Sequence, residues 1–265
     1  MGRLPPRLAW ALPLALALLV ALPGNGARRP LETHEVYVAR TAEEMLQSGA
    51  WLWPTFNGEL RLEKPPLSYW LAIAAHRALT PGSSTHVTPF EARLPSVAAA
   101  LGLVLVVYWL GGSLSGDRRV GAVAATLTAT SAGFVSYAHN ARPEMLYALG
   151  CSIEVLGWSW SRRRLAERGS STAAAALAWG GFALALLAKG PLLPAFVLLG
   201  LVIGWWHERP RLPLLGTLKP GIGLLVVGAP ALLVFGGLAR AAPAAPGFWW
   251  DEMFHHGGGR SLAWY

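Results

Sequence analysis

The sequence predicts an all-α fold: a polytopic transmembrane helix bundle of about seven spans with a helical external first loop. Three observations predict it. Apolar runs of roughly 17–22 residues recur along the chain, each long enough to cross a bilayer. Charged residues make up only 14% of the chain and hydrophobic ones 54%, against about 25% charged in a soluble domain. The loops between the runs alternate in character. One set carries the Arg and Lys clusters (Arg118-Arg119; Arg162-Arg163-Arg164 with Arg168; Arg209-Pro210-Arg211 with Lys219) and the other mixes carboxylates, His, Lys and Trp.

The runs read as spans at 8–24, 93–113, 119–138, 143–161, 172–188, 191–207 and 220–240. The first, with Arg3 and Arg7 before Ala9 to Leu22, has the outline of a signal peptide. It is read as an uncleaved span, because the later spans need it to fix their orientation. With Arg3 and Arg7 in the cytoplasm, parity places every basic cluster inside. Residues 25–92, 137–144, Lys189-Gly190 and 241–265 then fall outside. The net charge of +8 and pI of 10.2 are thus a topology signal, and no nucleic-acid partner is expected. The single cysteine, Cys151, lies in an apolar run, so no intrachain disulfide forms.

The external loop 25–92 reads as helices on the membrane surface. Thr33 is positioned to cap a helix over 34–47, in which Val38, Ala42, Met45 and Leu46 recur at helical spacing. Ser48-Gly49 ends it, and Asn57-Gly58 marks a turn. Leu67 to Leu79 is apolar, but thirteen residues at about 1.5 Å each cannot cross a core of about 30 Å. It is read as an interfacial helix begun by Pro65-Pro66, with Tyr69 and Trp70 at the membrane–water boundary.

The chemistry-bearing residues fall in the mixed loops. Glu63-Lys64-Pro65-Pro66 holds a charged pair rigidly, and Lys64 suits a lipid phosphate; an interfacial lysine lying along a helix start is the simpler alternative. Glu35 opens a helix, where a carboxylate is favoured by the dipole. Glu144 follows Arg142-Pro143 at the mouth of a span, where ionisable residues usually face a polar cavity. Two carboxylates at one mouth could supply a general base and an orienting partner. Lys189, in Ala188-Lys189-Gly190-Pro191, is either an anchor or a positioned cation. His255 and His256, with Asp251 and Glu252, have ligand chemistry for Zn²⁺ or Mn²⁺, although adjacent histidines are poor helical ligands. No cofactor is certain, and a divalent metal is the one considered. Glu154, within a span, has no assigned role.

The stretch from His34 to Met45 resembles the first external loop of the aminoarabinose transferase and protein O-mannosyltransferase families, GT-C membrane glycosyltransferases that use polyprenyl-phosphate sugars. Gly49 to Gly58, Glu63 to Trp70, Phe90 to Ser96, Ala141 to Leu146 and Ala188 to Pro191 resemble further blocks of the same families, in the same order. The resemblance implies a glycosyltransferase acting at the outer face, with a polyprenyl-phosphate sugar as donor and a lipid, protein or glycan as acceptor; lipid A modification and protein glycosylation are the family's themes.

Residue by residue, it implies catalytic roles for Glu35, Glu144 and His34. His34 stands where the family has Asp, so either His34 or Glu35 is the base. Lys64 matches the family's donor-phosphate lysine and Glu63 a residue implicated in metal coordination; Arg142, Lys189, Arg93 and Tyr69 are the further expected substrate-binding residues, and His255 and His256 the further expected metal ligands. The implied location is a bacterial inner membrane, multi-pass, with the N-terminus cytoplasmic and the active face periplasmic. Family members are about twice as long, so the whole of 1–265 is expected to be one transmembrane glycosyltransferase domain, truncated. The alternatives are a transporter or flippase, and an inactive fragment of the enzyme.

Overall fold

The computed structural model describes residues 9–26, 29–82, 84–169, 171–207 and 213–248. Its helices are α1 (Ala11–Ala21), α2 (Thr33–Ser48), α3 (Leu67–Leu79), α4 (Pro89–Ser115), α5 (Arg118–Ala129), α6 (Ala132–Ala138), α7 (Glu144–Arg168), α8 (Thr172–Ala188), α9 (Leu192–His207) and α10 (Leu214–Leu218). Lys219, at φ 46°, breaks the chain after α10, and alternating α- and π-helical turns follow over residues 220–241 (α11). The only strands among the described residues are β1 (Thr55–Phe56) and β2 (Glu59–Leu60), an antiparallel pair.

The chain shuttles between two ends. α4 leaves the external loop and finishes beside Arg118, and α5 and α6 return to His139. α7 runs from Glu144 to the Arg162–Arg164 cluster, and α8 comes back to Lys189. At one end Tyr147 Oη accepts the Leu193 N–H at 2.9 Å. At the other, Ser161, Ser171 and Trp179 donate to carbonyls of Thr217, Gly216 and Leu218. Among the described residues, the mixed turns at 139–144 and 189–191 therefore lie at the end of the bundle opposite the basic stretches at 118–119 and 162–164.

Small residues let α7 and α8 touch. A Cβ on Gly157 would lie 2.4 Å from the Ala178 nitrogen, and one on Gly181 would lie 2.5 Å from the Glu154 nitrogen. Close backbone approach through small residues is how helices associate in lipid, where burying apolar surface gives no net gain. Glu154 is fully buried at this seam, with one oxygen accepting the Trp158 indole N–H at 3.2 Å.

Large apolar side chains point outward all along the bundle: Leu19, Leu114, Leu127, Leu192, Leu224 and Leu232 are all more than 60% exposed. Hydrocarbon suits such a surface and water does not. Among the described residues, two helical segments are long and apolar enough to span a membrane unaided, Pro89–Ser115 and Leu214–Arg240. The expected span 119–138 is divided: α5 and α6 meet at 61°. Ser131 restarts the helix there by accepting the Phe134 N–H, while the Thr128 and Thr130 hydroxyls donate back to carbonyls of their own turn, a pattern that bends helices. The expected spans 8–24, 172–188 and 191–207 appear as apolar helices of 11, 17 and 16 residues.

The segment between α1 and α4 forms its own small core. Val38, Ala42 and Met45 of α2 pack on Tyr69, Ala72 and Ile73 of α3, with Val87 and Ala92 beneath. One boundary differs from expectation: Thr33 is the first helical residue, and Glu32 is the cap, its N–H donating to Glu35 Oε2 at 2.9 Å. At the far end Gly49 takes the left-handed conformation at φ 69°. Helix α3 begins at Leu67 and ends at Leu79, the limits of the short apolar run.

Candidate active site

A buried ion pair sets the site's frame. Arg93 on α4 donates from Nε to Glu35 Oε1 at 2.7 Å and from Nη2 to Oε2 at 2.8 Å. Both side chains are fully buried. Arg93 also donates to the Arg29 and Pro30 carbonyls, each at 3.0 Å, and Glu35 Oε1 accepts the Ala141 N–H at 2.9 Å. One salt bridge thus ties the segment before α2, α2 itself, α4 and the turn before α7. Burial alone would push the Glu35 carboxyl up; the Arg93 guanidinium and the N–H groups of Glu32 and Ala141 outweigh it and hold the group below the ordinary 4.5.

The turn so fixed presents Arg142, Pro143 and Glu144. Ser96 Oγ secures it by donating to the Arg142 carbonyl at 3.3 Å, and Asn140 donates to Glu32 at 3.1 Å. Glu144 Oε1 takes Arg142 Nη2 at 3.0 Å and Lys189 Nζ at 3.3 Å. Lys189 comes from the α8–α9 turn, where Gly190 at φ 130° supplies a backbone that other residues rarely adopt. Glu144 Oε2 is buried and has no hydrogen-bond partner.

Glu144 is among the residues lining a cavity of about 160 Å³, whose lining includes His34, Arg61, Lys64, Ser68, Tyr69 and Arg142. Glu144, Lys189, Tyr37 and Tyr137 complete its polar surface. Ser68 Oγ is a second buried, unpartnered oxygen here. An orphaned buried oxygen costs about 1–3 kcal/mol, so two of them among the lining residues suit a polar ligand.

Of the residues expected in the site, Glu144, His34, Lys64, Arg142, Lys189 and Tyr69 come together. Glu35 and Arg93 do not line the cavity. They engage each other and neighbouring backbone groups. Tyr69 is buried instead of lying at a lipid boundary. Its Oη accepts from Arg61 Nε at 3.2 Å, and burial raises its phenol above the usual range despite that neighbouring cation. Arg61, Tyr37 and Ser68 were not singled out in the sequence. The signal for Arg61 was its place, three residues after the Asn57-Gly58 turn and three before Lys64.

The metal expectation rests on Glu63, His255 and His256. Glu63 is 45% exposed and faces Arg61 Nη1 at 3.6 Å, outside the cavity lining. His255 and His256, with Asp251 and Glu252, lie outside the described residues. No group of three or more His, Cys, Asp or Glu side chains able to hold a metal occurs among the described residues.

The profile of the dolichyl-phosphate-mannose-protein mannosyltransferase family matches residues 28–250. The chain belongs to that family. Two undecaprenyl phosphate-alpha-4-amino-4-deoxy-L-arabinose arabinosyl transferases 2 from strains of Pseudomonas fluorescens are similar to it. One is 32% identical over 216 residues, covering 76% of this chain and 34% of that protein. The other is 29% identical over 238 residues, covering 86% and 41%.

The fold matches the crystal structure of ArnT from Cupriavidus metallidurans in the apo state, with a TM-score of 0.79 at 21% identity, over 92% of this chain and 44% of that one. The undecaprenyl phosphate-bound form matches at 0.72 and 22% identity, over 90% and 42%. The family member described here thus has the GT-C membrane fold, a polytopic bundle of transmembrane helices, and spans less than half the length of these relatives.

Proposed function

We propose that this family member carries the donor site of a glycosyltransferase that moves a sugar from a polyprenyl phosphate to an acceptor hydroxyl at the membrane surface. One observation carries the reading: Glu144 is held through Oε1 by two cations, keeps Oε2 without a hydrogen-bond partner, and belongs to the lining of a polar cavity. A carboxylate oriented through one oxygen and unpartnered at the other suits a general base.

In this mechanism the donor's polyprenyl tail lies along the apolar bundle and its phosphate enters the cavity beside Lys64. Glu144 Oε2 accepts the proton of the acceptor hydroxyl. The hydroxyl oxygen bonds to the anomeric carbon as the bond from that carbon to the phosphate oxygen breaks. The electron pair leaves with polyprenyl phosphate, and Lys64 stabilises the charge that develops. Arg142 and Lys189, expected to bind the phosphate, are assigned here to holding Glu144 in one orientation. His34 lines the mouth on the acceptor's path.

The relatives' names and the undecaprenyl phosphate-bound ArnT structure support a lipid-linked donor. A bacterial inner membrane, with the basic end of the bundle in the cytoplasm and the cavity facing the periplasm, is the location that the charge alternation supports.

The test is release of polyprenyl phosphate from a polyprenyl-phosphate sugar by the whole protein in proteoliposomes. Release that requires an acceptor lipid and is lost in Glu144→Gln supports the reading, whereas equal release by the variant removes it.

A further inference from the structure

We propose that Arg61 is a phosphate ligand of the donor site, aimed into the cavity by two tyrosines and acting beside Lys64. The proposal rests on the donor-site reading above and extends it to a residue that the family resemblance did not single out.

Arg61 is placed by construction. Asn57 and Gly58 both have positive φ, 54° and 81°, which gives a tight two-residue turn whose twist suits a β-hairpin. Glu44 on α2 pins this turn. Its Oε1 accepts the Asn57 N–H at 2.8 Å, and its Oε2 accepts the Gly58 N–H at 3.2 Å and the Thr55 hydroxyl at 2.7 Å. The Arg61 N–H then returns to the Pro54 carbonyl at 2.8 Å, so the hairpin delivers Arg61 at a fixed height over α2.

The side chain is held as well. Its guanidinium carbon lies 4.2 Å from the centre of the Tyr37 ring, and Nε donates to Tyr69 Oη at 3.2 Å. Its only described carboxylate neighbour is Glu63, at 3.6 Å from Nη1, longer than a hydrogen bond and half in water. The side chain is 14% exposed, and it lines the same cavity as Lys64.

A planar guanidinium stacked on one face and pinned at Nε offers its terminal N–H groups in a fixed fork. That fork suits two oxygens of a phosphate, whereas a lysine meets the group as a point charge. Arg142 and Lys189, the other cations of the cavity, already contact Glu144. Arg61 does not, so it can meet the phosphate without giving up the base.

The alternative is that Arg61 only ties the hairpin to α3. Binding of a short-chain polyprenyl phosphate, geranylgeranyl phosphate, and of the matching alcohol geranylgeraniol separates the two for the whole protein in detergent. Wild type, Arg61→Ala and Arg61→Lys are compared. A lost charged hydrogen-bond pair predicts affinity for the phosphate about tenfold or more weaker in Arg61→Ala. Arg61→Lys falls between it and wild type, and alcohol binding is unchanged throughout.

Unchanged phosphate affinity in Arg61→Ala, or equal weakening of phosphate and alcohol binding, would overturn the proposal in favour of the structural tie. Wild type that does not prefer the phosphate over the alcohol would instead refute the donor-site reading itself.

Discussion

Glu35 and Arg93, 58 residues apart in sequence, close a two-pronged ion pair at 2.7 and 2.8 Å with neither side chain reached by solvent. Removing one partner of a buried pair leaves the other charge stranded, at a cost of about 3–5 kcal/mol. Arg93→Ala and Glu35→Ala are each expected to lower the thermal unfolding midpoint of the detergent-solubilised protein by several degrees. A catalytic role for Glu35 predicts the opposite pattern, an unshifted midpoint with lost turnover. The unfolding scan separates the two without an activity assay.

The same pair sets an acid limit. The Glu35 carboxyl is held below its ordinary 4.5 in the folded state, so its contribution to stability is present above pH 4.5. That contribution is lost as the pH falls through the lowered value. Midpoints measured between pH 7 and pH 3 should fall on the acid side for wild type and fall less in Glu35→Gln. Parallel curves for the two proteins would show that Glu35 does not set the limit.

A third expectation concerns the seam of α7 and α8. Gly157→Ala places a methyl group 2.4 Å from the Ala178 nitrogen and should destabilise the bundle by about 1–3 kcal/mol. Gly180, on the neighbouring helix, has nothing within 4 Å of a built Cβ. Gly180→Ala should therefore be neutral or slightly stabilising, by up to about 1 kcal/mol. Similar midpoints for the two variants would argue against the close helix approach.

Much of the fold was legible because bilayer thickness and loop charge are coarse constraints. A thirteen-residue apolar run after Pro65-Pro66 had to be a surface helix, and α3 has those limits. The break at Thr130-Ser131 was not legible, because average hydropathy passes smoothly over a hydroxyl-rich turn that restarts a helix. The site divided along a similar line. Motif order brought Lys64, Glu144 and Lys189 to one mouth. It could not tell which carboxylate faces the cavity, since that depends on Arg93 reaching Glu35 across three elements. Arg61 was missed because its role comes from the Tyr37 ring and the Tyr69 hydroxyl, neither of which advertises a site.

The charge arrangement around Glu144 gives a further expectation. Lys189→Met removes one of two cations on Oε1 while leaving Arg142 in place, so the carboxylate loses part of its fixed orientation. Turnover should drop by roughly tenfold with donor affinity kept, a smaller loss than removal of the base itself. A large loss of donor affinity would instead mean that Lys189 binds the phosphate directly.

The most direct test of the account is single-turnover sugar transfer by Glu144→Gln, with donor affinity measured on the same preparation. Glutamine keeps the shape and the contacts of Oε1 but cannot take a proton. The account predicts transfer slowed by about 10²- to 10⁴-fold with donor affinity and unfolding midpoint near those of wild type. Transfer at the wild-type rate would contradict it.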